Sequence, residues 1–389
     1  MFTVRNFLTA LALVVLGVHP VLSAELEQAM RAVERVRGLA FRHPVTAVTI
    51  DRRELPGRLR EQVARSMPYS PEEWEEILRA LLLVDGQQTQ LFSGLIELYE
   101  SQVLAYYDPW TGTYYSIREP PPAMTAQFVE GLSVDEGVVV HELMHALQDQ
   151  HFAIGVKDRA LRHDADAAMA YHALLEGEAS LVMMAYMLER SGASFDDVAR
   201  STQFDDVLAT AATADIAIGS STPPYFAEML KFPYLQGLRF AVYAYRRGGW
   251  KELDRVHANP PTSTREILHP EDYFERRFSG KPFAAIPAAG VARALSVEHL
   301  GEFHWGILAG VENARGWVSD HVTIAQNAAC EPTVLVETRW ESETAARRFR
   351  DAYVNALDSR GVGTYAATDG VTVRVAYGTD AGLSRRFVQ

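Results

Sequence analysis

The chain has 389 residues, 48% of them hydrophobic and 22% charged, with 26 Gly and 18 Pro. That composition supports a large core and excludes collagen-like, coiled-coil and wholly disordered chains. The formal charge of −13 leaves no cationic excess to neutralise phosphate, so nucleic acid is excluded as an expected partner.

Residues 1–24 have the three-part form of an export leader: Arg5, an apolar stretch from Phe7 to Val18, then His19-Pro20 and the small Ser23 and Ala24. The stretch is shorter than the roughly 20 residues of a bilayer span. The mature chain is therefore expected in the periplasm or secreted, with no stable membrane span; an uncleaved N-terminal anchor is the alternative. Cys330 is the single cysteine, so an intrachain disulfide is excluded. Nothing in the sequence fixes the oligomeric state.

In chain order, the spacing of Leu26, Met30, Val33 and Val36 predicts a helix over 25–38. A strand follows at 45–50, a charged helix at 56–67, and a further helix starts at Pro71. Residues 102–117 read as a hairpin, with two Tyr-rich runs flanking Asp108-Pro109-Trp110-Thr111-Gly112. Ser133 and Glu136 form a capping box opening an apolar helix over 133–152. A long helix over 164–190 ends at Gly192, and others fall near 196–213 and 225–248. Gly- and Pro-containing sequence over 280–290 marks a domain boundary. Beyond it come strands at 317–324 and 333–340, a helix at 342–358 and a hairpin at 363–377. The expected organisation is a leader over 1–24, a catalytic domain over 25–280 and a small α/β domain over 291–389.

The sharpest chemical signal is His141-Glu142-Leu143-Met144-His145. Histidines at i and i+4 of a helix share one face, so both rings can reach one metal ion. Zinc suits imidazole, and a glutamate beside the first ligand can deprotonate water. Two histidines do not complete a catalytic zinc site. His151 is a poor third ligand: Ala146-Leu147-Gln148-Asp149-Gln150 gives no reason to leave the helix, which carries His151 about 9 Å beyond His145. The run Leu174-Leu175-Glu176-Gly177-Glu178 on the next long helix offers a carboxylate instead. Glu176 and Glu178 project to different sides, so one of them faces the metal. Gly177 in mid-helix costs roughly 1 kcal/mol against alanine, which close approach to the neighbouring active-site helix explains.

His-Glu-Leu-Met-His followed by Glu-Gly-Glu-Ala resembles the gluzincin metallopeptidases, the thermolysin-like and aminopeptidase-like clan. In that clan the glutamate directly before the glycine is the third zinc ligand. The resemblance therefore implies Glu176 as ligand, with Glu178 as the fallback, within an α+β gluzincin-like fold. The separation of His145 from Glu176 is longer than in the best-known members. The hairpin also resembles the clan's edge strand, along which a peptide lies extended. The longer run from Val140 to Phe152 resembles a group of exported bacterial proteins with a metallopeptidase-like domain. So do Phe232-Pro233-Tyr234-Leu235-Gln236-Gly237, Gly248-Gly249-Trp250, Pro260-Pro261-Thr262-Ser263-Thr264 and Ile267-Leu268-His269-Pro270-Glu271.

The resemblance implies a zinc metallopeptidase acting on peptide or protein substrates. His141, His145 and Glu176 bind Zn2+, Glu142 is the general base, and no organic cofactor is expected. Gluzincins also supply a Tyr or His to the oxyanion. His269, at a junction between the Ser263–Glu266 capping box and Pro270, is the candidate, with Tyr234, Tyr243 and Tyr273 competing. Two other readings are a non-catalytic zinc-binding envelope or assembly protein and a metal-dependent amidase acting on peptidoglycan peptides.

Overall fold

The computed structural model describes residues 23–119, 134–213, 223–278, 280 and 292–389. Most of the expected leader, the expected Ser133 cap, most of the expected loop at 219–224 and the expected boundary over 281–290 lie outside the described residues.

The fold is α+β. Helix α1 (Ser23–Arg37) is followed by β1 (Thr46–Ile50) and α2 (Leu55–Ser66). Helix α3 (Pro71–Ala80) opens on a capping box in which Ser70 accepts the Glu73 amide and Glu73 accepts the Ser70 amide. Helix α4 (Leu91–Gln102) leads into β2 (Ala105–Asp108) and β3 (Thr113–Ile117), the expected hairpin. Then come α5 (Val134–Phe152), α6 (Ile154–Leu161) and α7 (Ala165–Arg190). Helix α7 stops as expected at Gly192: with φ of 76° there, Ala193 N–H reaches the Leu188 carbonyl. One helix is expected near 196–213 and two are found, α8 (Phe195–Ala199) and α9 (Thr202–Thr213). The Ser201 hydroxyl accepts the Phe204 amide and so starts a second helix.

Helix α10 (Pro224–Gly248) contains Pro233, and α11 (Trp250–Ala258) follows directly. Two short helices, α12 (Thr264–Leu268) and α13 (Pro270–Phe274), meet at His269. After 291 the order is β4 (Arg293–Glu298), α14 (Gly301–Ala309), α15 (Val311–Ala314), β5 (Trp317–Gln326) and β6 (Pro332–Trp340). The chain closes with α16 (Glu343–Asp358), β7 (Thr364–Asp369), β8 (Thr372–Gly378) and α17 (Ala381–Val388). Among the described residues no helix is long and apolar enough to cross a membrane.

Two compact units emerge. The first gathers residues up to Met67, then Gln90–Ala160 and Tyr171–Pro260; the second gathers Pro68–Thr89, Leu161–Ala170 and the chain from Pro261 onward. Several stretches expected in the catalytic domain, 68–89, 161–170 and 261–278, thus cluster with the C-terminal sheet.

In the first unit the sheet order is β1-β3-β2, with β1 parallel and β2 antiparallel to a fully buried β3. Helices α5 and α7 are its interior: Leu143, Met144, Leu147, Leu174, Leu181 and Val182 are all solvent-excluded. Burial on nearly every side is why neither helix confines its apolar residues to a single stripe.

The second unit holds an antiparallel sheet of order β4-β5-β6-β8-β7. Ala325, Leu335 and Ala376 on the sheet cluster with Leu383 of α17. Trp305, Trp340, Phe349 and Tyr353 form a separate buried aromatic cluster. The Asp320 carboxylate accepts the Leu300 and Gly301 amides and the indole N–H groups of Trp305 and Trp317, so four donors justify its burial.

Asp166 of the second unit titrates unusually. Its Oδ1 accepts the Thr264 amide at 2.8 Å and the Thr264 hydroxyl. Burial pushes the carboxyl up to about 7 despite those bonds. The folded chain holds this proton to higher pH than the unfolded chain, where the value is 3.8. Its contribution therefore favours folding at low pH and is lost as pH rises from about 4 towards about 7. Thermal unfolding of Asp166→Asn should decline less steeply than wild type across that window. Identical pH profiles would contradict this.

Candidate metal centre

Helix α5 carries His141 and His145 one turn apart, and α7 brings Glu176 to them. The imidazole Nε2 atoms lie 3.2 Å apart, His141 Nε2 is 3.0 Å from Glu176 Oε2, and His145 Nε2 is 3.5 Å from it. These are the three residues whose donor atoms converge as a metal-ligating group among the described residues. A tetrahedral zinc site with ligand distances of about 2.0–2.1 Å has edges of about 3.3 Å between donors. The three separations match that triangle, and two histidines plus one carboxylate is a donor set zinc accepts.

Electrostatics fits the same use. Burial disfavours a charged His145, but the Glu176 carboxylate and a hydrogen bond with Gln148 lift its ring to about 9. Burial alone would raise Glu176; the two histidines instead hold it well below the usual carboxylate range. A divalent cation bound beside Glu176 would take the place of the His145 Nε2 proton.

Glu142 leaves the cluster free. Its Oε2 accepts the Tyr107 amide at 2.9 Å, from the edge strand β2. Burial raises its carboxyl, the direction that suits a group exchanging protons near neutral pH.

Tyr234 of α10 stands over the cluster, its ring 6.1 Å from that of His141. Its hydroxyl bonds to Glu176, whose charge, together with burial, keeps the phenol protonated far above its ordinary value. The side chain still shows 44% of its surface to solvent, so it lines an accessible face.

The other expected residues fall elsewhere. Glu178 is 0% exposed and is not in the cluster; it pairs with Arg37 and His257 and accepts a bond from Gln148. Its alternative role as ligand gives way to this pairing, because it projects to the other side of α7. His151 bonds to the Ala40 carbonyl at 2.8 Å, a structural role. His269 belongs to the second unit, where its Nε2 meets Glu302 Oε1 at 2.7 Å. Among the competing phenols, it is Tyr234 that the structure brings to the histidines. Gly177 does mark a close approach, but to α10 rather than α5: a Cβ there would sit 2.1 Å from the Gly237 carbonyl oxygen.

Gln148 is the residue that sequence reasoning missed. It is buried on α5, and its Oε1 lies at hydrogen-bond distance, 2.8 Å, from His145 Nδ1. Its place three residues after His145 on the same helix was the available signal.

Comparison with known proteins adds one match. Residues 289–387 correspond to a domain of unknown function (DUF8575). No curated protein and no solved structure matches the chain.

Proposed function

We propose that the chain is an exported zinc metallopeptidase with a gluzincin-like catalytic unit. The observation that carries this reading is the convergence of His141 Nε2, His145 Nε2 and Glu176 Oε2 at 3.0–3.5 Å beside Glu142, which stays outside that triangle and is anchored by the Tyr107 amide. The export leader at 1–24 supports an envelope or secreted location.

His141, His145 and Glu176 would hold the ion. A bound zinc supplies a Lewis acid and makes water a nucleophile near neutral pH. Glu142 takes the proton of the attacking water and returns it to the leaving amine. Its raised affinity for protons suits both transfers, and the Tyr107 amide keeps the carboxylate aimed. Tyr234 is protonated and exposed at the same face, so its hydroxyl, on exchanging its Glu176 bond, can donate to the oxyanion of the tetrahedral intermediate. Among the described residues β2 is an edge strand of its sheet and lies beside α5, and on this reading an extended peptide would run along that side of the unit.

The test is metal uptake with its ligand control. Wild type is expected to bind one zinc per chain, and Glu176→Ala to lose most of that affinity with its fold intact by circular dichroism. Equal uptake by Glu176→Ala would exclude Glu176 as a ligand and reopen the assignment.

A further inference from the structure

Gln148 is wholly buried, and its side-chain amide has three partners. Nε2 lies 3.1 Å from the Leu175 carbonyl oxygen and 2.8 Å from Glu178 Oε2. Oε1 lies 2.8 Å from His145 Nδ1. The Leu175 carbonyl can only accept, and Glu178 already takes bonds from Arg37 and His257 at 2.7 and 2.5 Å. Turning the amide over would set its oxygen against those acceptors and its NH2 group against the ring. The orientation is therefore fixed from the far side of the helix pair. An oxygen fixed toward the ring can only accept, so His145 Nδ1 must carry a hydrogen. In the neutral ring, the form that binds metal, Nε2 then points a lone pair at the His141–Glu176 corner.

We infer that Gln148 is a positioning residue that locks His145 in the Nδ1–H form required to present Nε2 to a metal. The inference rests on the zinc reading above and assigns the orienting group. Burial makes the lock stringent, because Gln148 is 0% exposed and a turned amide would set its oxygen against the Leu175 and Glu178 oxygens inside the protein. Histidines that bind metals commonly depend on such a partner, whose loss costs about 10- to 100-fold in metal affinity. Glu178 and Arg37 then have a functional consequence as well as a structural one: their buried pair holds the amide that holds the ligand.

The experiment uses the full mature chain and zinc, with a chromogenic chelator as competitor. Gln148→Met keeps the length and removes the amide; its zinc affinity should fall about 10- to 100-fold while the metal-free circular dichroism spectrum is unchanged. The cobalt-substituted variant should also show altered d–d absorption, which a purely structural role would not produce. Zinc affinity and cobalt spectrum equal to wild type would overturn the inference while leaving the zinc site standing. Wild type that takes up no zinc would overturn the zinc reading itself and the inference with it. If Gln148→Met fails to fold, 15N-histidine spectra of zinc-loaded wild type decide: a protonated Nδ1 on His145 supports the lock, and metal on Nδ1 overturns it.

Discussion

Glu142→Gln is expected to lower peptide hydrolysis by about 10²- to 10⁴-fold with zinc still bound at one per chain. The substitution removes the proton acceptor and changes little else. Glutamine keeps an oxygen that can take the Tyr107 amide, so the anchor between α5 and β2 survives. Glu142 is also outside the ligand triangle of His141, His145 and Glu176, so metal affinity should hold. Rates on a fluorogenic peptide, read beside zinc content, check both halves. Activity close to wild type in the loaded variant would remove Glu142 from the mechanism.

Gly177→Ala should destabilise the first unit by about 3 kcal/mol or more, the upper range of overpacking. A Cβ at Gly177 would lie 2.1 Å from the Gly237 carbonyl oxygen and 2.2 Å from its carbon. The reverse contact is equally closed, since a Cβ at Gly237 would lie 2.0 Å from the Ala173 carbonyl oxygen. Both obstacles are backbone, which cannot swing aside as a side-chain tip can. Helices α7 and α10 would have to separate, and they carry Glu176 and Tyr234 respectively. Zinc affinity should therefore fall along with stability. Denaturant unfolding of the metal-free chain measures the first effect; a loss under about 1 kcal/mol would mean the helices separate easily.

How much of this was legible follows from which residues carry local signals. His141 and His145 declare themselves, because helical spacing alone puts both on one face. Glu176 was harder: spacing says only that Glu176 and Glu178 diverge, and the choice came from resemblance. The side of α7 that meets α5 is a tertiary fact, and so is the Arg37 guanidinium, 1% exposed, that claims Glu178. Gly177 signalled a close approach correctly but not its partner, since Gly237 is remote in sequence. Gln148 reads in the sequence only as one residue of an uninterrupted helix, and its hydrogen-bonding role depends on Leu175 and Glu178 being opposite.

The same division holds for the fold. The hairpin, the helix start at Pro71 and the Gly192 stop rest on local chemistry and are found as expected. Helix α14 goes beyond the expected elements because it is apolar on most sides and buries Glu302 and His304, so it has no polar face to reveal a period. Residues 68–89 join the second unit through contacts such as Glu73 and Glu76 with Arg293, which no local pattern announces.

The most direct test of the central claim is digestion of a mixed peptide library by the zinc-loaded mature chain beside zinc-loaded Glu142→Gln, read by mass spectrometry. Cleavage by wild type alone, at peptide bonds and with a consistent side-chain preference, is the predicted result. No cleavage by either protein, with one zinc bound per chain, would contradict a peptidase and leave the site as a metal-binding platform or an amidase for another substrate.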